Sequence, residues 1–442
     1  RHLARWGAAP VVVLLDKPEA LKGDAKTNFE RLRGVRILES SVLGRALHGA
    51  AAVVDAIVGT GFRGSLEGTL GEAVEQVNAS GVPVVAVDIP SGVEGETGRV
   101  EGPAIRARTT VTMAALKTGL LLTPGCEHAG AVEVTDIGIP EGHIAAGCFA
   151  PEDDDVTALL PPRPLTVHKR SVGTVLVVAG SVGMSGAAAL AGSAALRAGA
   201  GLVTIATASP VALEVDQTVL EATTLPLPGT ARGSISSSAA NAILERAAAL
   251  DAVALGPGLT TDPETVELVR RLVGELDRPL VLDADGINAV APLVASGGGG
   301  PLRPGRHTIL TPHAGELARV LGMSSKEISA DRIGAARSAA GRTGAVVLLK
   351  GFPTVVAEPG GRTVLVPRGG PALATGGTGD VLTGVIAALV ASGIEPFAAA
   401  WSGAWIHGAA GDLVTAQRGV RAAVAGDLLQ ALPEVIRRLE QR

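Results

Sequence analysis

The residues with the most evident chemistry are Ala374-Thr375-Gly376-Gly377-Thr378-Gly379-Asp380, because the run after them, Val381 to Ala388, reads as a helix. Glycines just before a helix N-terminus leave amide N–H groups unpaired beside the positive end of the dipole, where a phosphate is attracted. Without a Cβ in the way, the backbone can approach the phosphate oxygens closely. A carboxylate at the same point repels that anion. It makes sense as a general base that takes a proton from a hydroxyl attacking a phosphoryl group. The competing reading is that Asp380 merely caps the helix. No Gly-x-x-x-x-Gly-Lys-Ser/Thr occurs in the chain, and Gly256-Pro257-Gly258 lacks the third glycine of a dinucleotide fingerprint. The phosphate device is therefore of another type.

Further polar residues sit where apolar runs end. Asp283 and Asp285 follow Leu280–Leu282, and Thr311-Pro312-His313 follows Thr308–Leu310. In open parallel sheets the C-terminal strand edge is where ligands bind. Taken singly, His313 also reads as a structural hydrogen-bonder and Lys350 as an ordinary solvated lysine. Nearer the start, Asp55 lies in Val54–Val58 before the turn Gly59-Thr60-Gly61-Phe62-Arg63-Gly64-Ser65, and Asp88 ends the run Val84–Val87 before Ile89-Pro90-Ser91. Two carboxylates at the ends of neighbouring strands suit a cation site, a proton-transfer site, or both. Turn-capping aspartates are the plainer alternative.

The elements that must position these residues alternate between short β-rich runs and Ala/Leu-rich helical stretches, the pattern of a parallel sheet covered on both faces. In the first part the expected strands are Val11–Leu15, Ala52–Val58, Val84–Asp88, Thr109–Thr112 and Val132–Val134, with a helix near Leu70–Asn78. Acid and proline clusters at Pro151–Asp155 and Pro161–Pro164 interrupt the pattern, so a boundary is expected near residue 150. The alternation restarts with Val175–Ala179, Leu202–Ala206, Ala252–Leu255, Leu280–Asp283, Thr308–Leu310 and Ala345–Leu349. A hairpin is expected from Val355-Val356 and Val364–Val366 around Pro359-Gly360-Gly361. Ser296–Gly300 reads as a surface loop.

Bulk properties are consistent with this plan. At 442 residues the chain suits two α/β domains rather than one. Hydrophobic residues are 47% and aromatics 2%, so Val, Leu, Ile and Ala must fill the cores. A net charge of −5 gives no general reason to bind nucleic acid or an anionic membrane. Two cysteines, Cys126 and Cys148, cannot build a disulfide framework and read as reduced thiols of a cytoplasmic protein. No apolar run is long enough for a membrane span. The chain opens at Arg1 without a methionine and close to its first strand, which is read as a truncated beginning.

From about Val167 to the end, the chain resembles the NAD(P)H-hydrate dehydratases, a branch of the ribokinase-like three-layer α/β/α folds. The resemblance rests on His168-Lys169, Val178–Ser181 with Met184–Ala188, Gly256–Gly258, Leu282–Asn288, Thr311–Glu316, Leu349–Gly351 and Gly376–Asp380, in the family's order. It implies an enzyme that uses ADP or ATP, with Mg²⁺, to dehydrate the S form of NADH and NADPH hydrates. It implies Ala188, Gly258, His313 and Asp380 at the hydrate, with Asp380 catalytic. Lys350, Gly351, Phe352, Pro353, Thr354 and Gly379 would lie along the adenine nucleotide. One departure stands out: the family often has Asn-Pro before the glycine turn, where this chain has Gly370-Pro371.

The first part, residues 1–150, resembles the Rossmann-like NAD(P)H-hydrate epimerase domain through Val54–Ser65, Val87–Val93, Lys117–Gly119 and Asp136–Pro140. The resemblance implies interconversion of R and S hydrates. Asp55 and Ser91 would hold a potassium ion, and Gly59, Thr60, Gly61, Phe62, Arg63, Gly64, Ser65 and Asp88 would bind substrate, with Asp88 a candidate base. In that family an Asn- and Gly-rich loop precedes the segment that here begins at Arg1, so an epimerase domain lacking its N-terminal part is expected. Residues 151–442 would form the dehydratase domain. A ribokinase-like kinase of a small alcohol, such as a vitamin precursor, is the rival enzyme, and a nucleotide-sensing or lipoprotein-binding module the rival outside catalysis. The expected ligands are small molecules, and the expected assembly is a homo-oligomer.

Overall fold

The structure is a computed structural model that describes residues 2–144, 146–296, 302–303 and 307–441. It divides into two compact units, Arg1–Ala146 and Gly147–Arg442. Gly297–Gly300, expected in a surface loop, lie outside the described residues.

In the first unit β1 (Val11–Leu14) pairs in parallel with β2 (Arg36–Glu39), and a separate parallel sheet runs β3 (Val53–Asp55), β4 (Val84–Val87), β5 (Thr109–Met113) and β6 (Ala131–Thr135). The helix Gly68–Ala79 turns Ala73, Val74 and Val77 inward, where they meet Leu43, Leu47, Val84 and Ile105. Asp55 is the last residue of β3 and pairs in register with Ala86 of β4. Asp88 therefore leaves β4 beside it, at the same edge.

The second unit is built on one nine-stranded sheet. It comprises β7 (Thr174–Val178), β8 (Leu202–Ala208), β9 (Thr223–Leu227), β10 (Ala252–Leu255), β11 (Leu280–Leu282), β12 (Thr308–Leu310), β13 (Val346–Leu349), β14 (Thr354–Ala357) and β15 (Thr363–Val366). The order across the sheet is β15-β14-β13-β12-β11-β10-β7-β8-β9, parallel except for the expected hairpin β14–β15 and its antiparallel join to β13. Every residue of β7, β10, β11, β12 and β13 is buried, which explains why these strands read as unbroken apolar runs rather than alternating ones. The helices Ser185–Arg197, Thr378–Ala391, Pro396–Arg418 and Ala425–Glu440 pack on one another over one side of the sheet. With so few aromatics, close approach replaces bulk: a Cβ on Gly384 would strike the Ala191 carbonyl, so the two helices meet backbone to backbone.

The acid and proline cluster folds into the second unit. Asp153–Thr157 is a short helix with a capping box at Glu152 and Asp155, its Val156 is fully buried, and Phe149 bridges to Val364. Two strands have no counterpart among the expected ones. β2 is short and largely exposed, and β9 contains Pro226, which an edge strand tolerates because its outer N–H needs no partner. No helix among the described residues is long and apolar enough to cross a membrane.

Candidate active site

The parallel strands β7, β10, β11, β12 and β13 lie side by side, so their following loops share one edge. Hydrogen bonds tie these loops together. Gly180 donates to the Pro257 carbonyl at 2.9 Å, Ser181 Oγ to the Gly258 carbonyl at 2.8 Å, and Thr260 N–H to Asp285 Oδ2 at 2.8 Å. Gly258 sits against Met184 and Ala187, one residue from the buried Ala188. Gly256, at φ +133°, lies where any Cβ would fall onto the Asp283 carbonyl oxygen, so only glycine fits.

His313 is the N-cap of the helix Ala314–Leu321. Its Nδ1 accepts from Gly315 N–H at 2.9 Å and Glu316 N–H at 3.3 Å, while Glu316 Oε2 accepts from His313 N–H at 2.9 Å. The structural role is thus real, and it fixes the tautomer: with Nδ1 accepting, a neutral ring carries its proton on the half-exposed Nε2 side, 3.5 Å from Glu316 Oε1. Lys350 follows β13, and its backbone N–H donates to the Pro312 carbonyl at 2.8 Å. Its ammonium forms an ion pair with Asp283 Oδ1 at 2.8 Å and stands 4.0 Å from Glu316 Oε2. Burial opposes the charge, but Asp283 and Glu316 outweigh it and hold the Lys350 pKa above its ordinary value. Lys350 is no free surface lysine.

The glycine turn reaches this cluster from the other end of the chain. Gly377, at φ +90°, is the N-cap of the helix Thr378–Ala391 and has no side chain with which to cap it. The first-turn amides of Gly379 and Asp380 therefore remain available to an anion. Among the described residues nothing hydrogen-bonds the Asp380 carboxylate, so it is not the helix cap of the plainer reading. Burial first, and then the Asp283 charge, push its pKa up to about 7, with Lys350 opposing. The turn is pinned from beneath by His407 Nε2, 2.9 Å from the Thr378 carbonyl.

Three contributors carried no signal in the sequence. Thr383 Oγ1 donates to Asp283 Oδ2 at 2.8 Å. His407 lies between Trp405-Ile406 and Gly408-Ala409 in the helix Pro396–Arg418, a setting that usually means a satisfied core histidine. Arg332 turns its guanidinium under the loop after β13, donating to the carbonyls of Leu349, Lys350 and Pro353 at 3.3, 3.3 and 3.0 Å, so Gly351 through Thr354 rest on a buried cation.

In the first unit Asp55 and Ser91 meet directly. Ser91 N–H donates to Asp55 Oδ2 at 2.8 Å, its hydroxyl donates to Oδ1 at 2.7 Å, and Val58 N–H donates to Ser91 Oγ at 3.1 Å. Burial pushes the Asp55 pKa up, and no cationic side chain among the described residues pairs with it. Carboxylate, hydroxyl and the nearby Val58 carbonyl form an all-oxygen donor set around an uncompensated buried acid, of the kind that could hold a hard cation. Asp88, at φ +70°, has a different partner. Lys117 Nζ at 2.6 Å, Met113 N–H at 3.0 Å and Thr112 Oγ1 at 3.1 Å all converge on its Oδ1. Burial opposes ionisation, but Lys117 wins and the Asp88 pKa falls below the ordinary value. The loop Gly59–Ser65 is held by Gly64 N–H on Glu94 Oε1 at 3.2 Å and by Arg63 on Glu96 at 2.9 Å.

Residues 175–434 match the family NAD(P)H-hydrate dehydratase, and residues 1–119 match the family YjeF-related protein N-terminus. A bifunctional NAD(P)H-hydrate repair enzyme of Moorella thermoacetica is 45% identical over 456 residues, covering 100% of this chain and 84% of that protein. The chain belongs to the bifunctional NAD(P)H-hydrate repair enzymes. A member from Thermofilum pendens is 38% identical, again over 100% of this chain and 84% of its own. Among solved structures, the ADP/ATP-dependent NAD(P)H-hydrate dehydratase of Bacillus subtilis, co-crystallised with ATP and Mg²⁺, superposes with a TM-score of 0.57. It is 33% identical and covers 67% of this chain and 100% of its own. A ribokinase-like superfamily protein of Enterococcus faecalis shares the fold, with a TM-score of 0.58, at 21% identity over 69% of this chain and 100% of its own. The repair family thus combines a ribokinase-like unit with an epimerase-type unit, as the motifs led one to expect.

Proposed function

We propose that this chain returns hydrated NADH and NADPH to the active coenzymes. The unit from Gly147 onward dehydrates the S hydrate with ADP or ATP as phosphoryl donor, and the unit before it interconverts the R and S hydrates. The observation that carries the reading is Asp380, a carboxylate with no hydrogen bond to its own turn, placed beside uncapped amides and pushed up to about 7. A group with that pKa exchanges protons near neutrality.

Asp380 takes the proton of the hydrate's 6-hydroxyl, and that oxygen attacks the terminal phosphorus of the donor as the donor's P–O bond breaks. The Gly379 and Asp380 amides, with Lys350, stabilise charge on the transferring group. The C–O bond then breaks with phosphate as leaving group, the adjacent ring carbon gives up a proton, and the ring double bond returns. Arg332 holds Lys350 to Thr354 as the nucleotide's platform. His313 presents Nε2 from a neighbouring strand end, on the hydrate's side.

No cluster of three or more metal-ligating side chains is present among the described residues. Mg²⁺ fits this chain as an ion carried on the donor's phosphates, which is its usual mode, rather than as one in a protein cage. It would neutralise phosphate charge. In the first unit Asp55, Ser91 and the Val58 carbonyl would hold K⁺, whose charge would let the buried Asp55 ionise. Asp88 keeps Oδ2 clear of the three donors on Oδ1 and is the proton acceptor of the epimerisation. Cys126 and Cys148 are free thiols, in keeping with a cytoplasmic enzyme. The reading is tested by presenting S hydrate with either nucleotide: recovered NADPH absorbance supports it, and a stable phosphorylated product refutes it.

A further inference from the structure

Asp283 stands at the N-cap position of the helix Ala284–Ala295, yet its carboxylate does not cap that helix. It is almost wholly buried and reaches elsewhere with both oxygens. Oδ1 accepts from Lys350 Nζ, 67 residues along the chain, and Oδ2 from Thr383 Oγ1, 100 residues along, each at 2.8 Å. An aspartate that bypasses the amides of its own helix for two long-range partners is held for what lies between them. Thr383 is on the helix that begins with the glycine turn, one turn beyond Asp380. The Lys350 ammonium lies 3.3 Å from where a Cβ on Gly379 would stand, so the lysine rests against the turn itself.

The charged groups facing Asp380 come from several elements. They are Asp283 after β11, Lys350 after β13 and Asp285 in the first turn of Ala284–Ala295. Glu316, from Ala314–Leu321, faces Lys350, and His407, from Pro396–Arg418, faces the Thr378 carbonyl. The helices Ser185–Arg197 and Ala425–Glu440 approach Gly377 through Leu190 and Ala425, both uncharged.

We propose that Asp283 is a positioning residue for the dehydration: it fixes Lys350 against the Gly377–Gly379 turn, and its charge sets how strongly Asp380 takes a proton. The proposal rests on the reading of Asp380 as base. A like charge nearby disfavours ionisation, and an ammonium favours it. Asp283 does two opposed things at once. It supplies the negative charge that raises Asp380, and it anchors the lysine that limits the rise. A base is most effective when the balance falls near the working pH.

The experiment is the pH dependence of turnover of the full chain on S hydrate at saturating nucleotide. With a midpoint near 7, wild-type turnover at pH 8 is roughly ten times that at pH 6. In Asp283→Asn the acid limb moves down by about one unit or more, and that ratio falls to roughly two. Asp283→Glu keeps the charge, so the midpoint stays within about 0.3 unit while turnover drops from misplacement. In Lys350→Met the midpoint moves up. A merely structural aspartate would lower turnover in Asp283→Asn and leave the midpoint in place, and that outcome in a folded variant overturns the proposal. If Asp283→Asn does not fold, an unmoved midpoint in Lys350→Met overturns it equally. Asp380→Asn separates the two readings: near wild-type turnover there refutes the base itself, whatever Asp283 does.

Discussion

The Nε2 of His407 lies 2.9 Å from the carbonyl oxygen of Thr378, the first residue of the helix that carries Asp380. A carbonyl only accepts, so the neutral imidazole must carry its proton on Nε2 and donate it here. Burial pulls the His407 pKa down to about 4 from 6.5, which keeps the ring neutral at working pH. A buried imidazole thus braces the start of the helix that carries Asp380.

The first prediction follows from that depressed pKa. In the unfolded chain the imidazole binds a proton below about pH 6.5, while in the fold it resists until about 4. Its stabilising contribution is complete above 6.5 and is lost as pH falls from 6.5 through 4, by about 3 kcal/mol in all. Chemical denaturation of wild type and His407→Gln across that range should show the wild type losing this extra stability and the variant not. Parallel pH profiles would contradict the assignment.

Asp380 has the opposite sign. Its folded pKa of about 7 lies above the ordinary value of 3.8, so the fold prefers the neutral acid and becomes less stable as pH rises from about 4 through 7. Asp380→Asn should therefore lower turnover at least about a hundredfold while raising stability at pH 8 by about 2–4 kcal/mol. Nucleotide binding should stay nearly intact. A variant that loses stability, or keeps its turnover, would show that Asp380 serves the fold instead of the reaction.

His313 combines a cap with a site-facing nitrogen, and two substitutions separate the roles. His313→Ala should lose about 1 kcal/mol of stability with the Nδ1 cap and weaken hydrate binding far more than ADP binding. His313→Asn can still cap, so it should keep the stability and lose only hydrate affinity. Calorimetry with each ligand reads the difference. Equal losses for hydrate and ADP would remove His313 from the substrate side.

For the first unit, potassium should raise the unfolding temperature and lithium should not, because the Asp55–Ser91 donor set is an all-oxygen site around an uncompensated acid. At a hundredfold excess over the dissociation constant the gain is about 2.7 kcal/mol. Asp55→Asn should abolish the difference between the ions. If wild type responds alike to both, the cation site is absent.

Much of the architecture was legible because it rests on local rules. β7, β10 and β12 appear as apolar runs at or within one residue of their observed bounds, since strands buried on both faces have no polar alternation to blur them. β9 escaped because Pro226 argues against a strand until its edge position is known. The site was legible where glycine and a carboxylate meet at a helix start, and in the acids at strand ends. What remained hidden was pairing. Asp88 read as one of two carboxylates at neighbouring strand ends, and nothing local says that Lys117, 29 residues on, closes on one of its oxygens. Asp283 read as an acid at a strand's ligand-binding edge, and only tertiary structure shows its carboxylate turned to Lys350 and Thr383. His313, read singly as a structural hydrogen-bonder, does cap its helix.

The most direct test of the account mixes purified chain with S-NADPH hydrate, Mg²⁺ and either ADP or ATP, and records near-ultraviolet absorbance and released phosphate together. The mechanism through Asp380 predicts NADPH and phosphate appearing in equal amounts, with no phosphorylated hydrate accumulating. Consumption of nucleotide with a lasting phosphorylated product and no chromophore would contradict it, and would make the second unit a kinase.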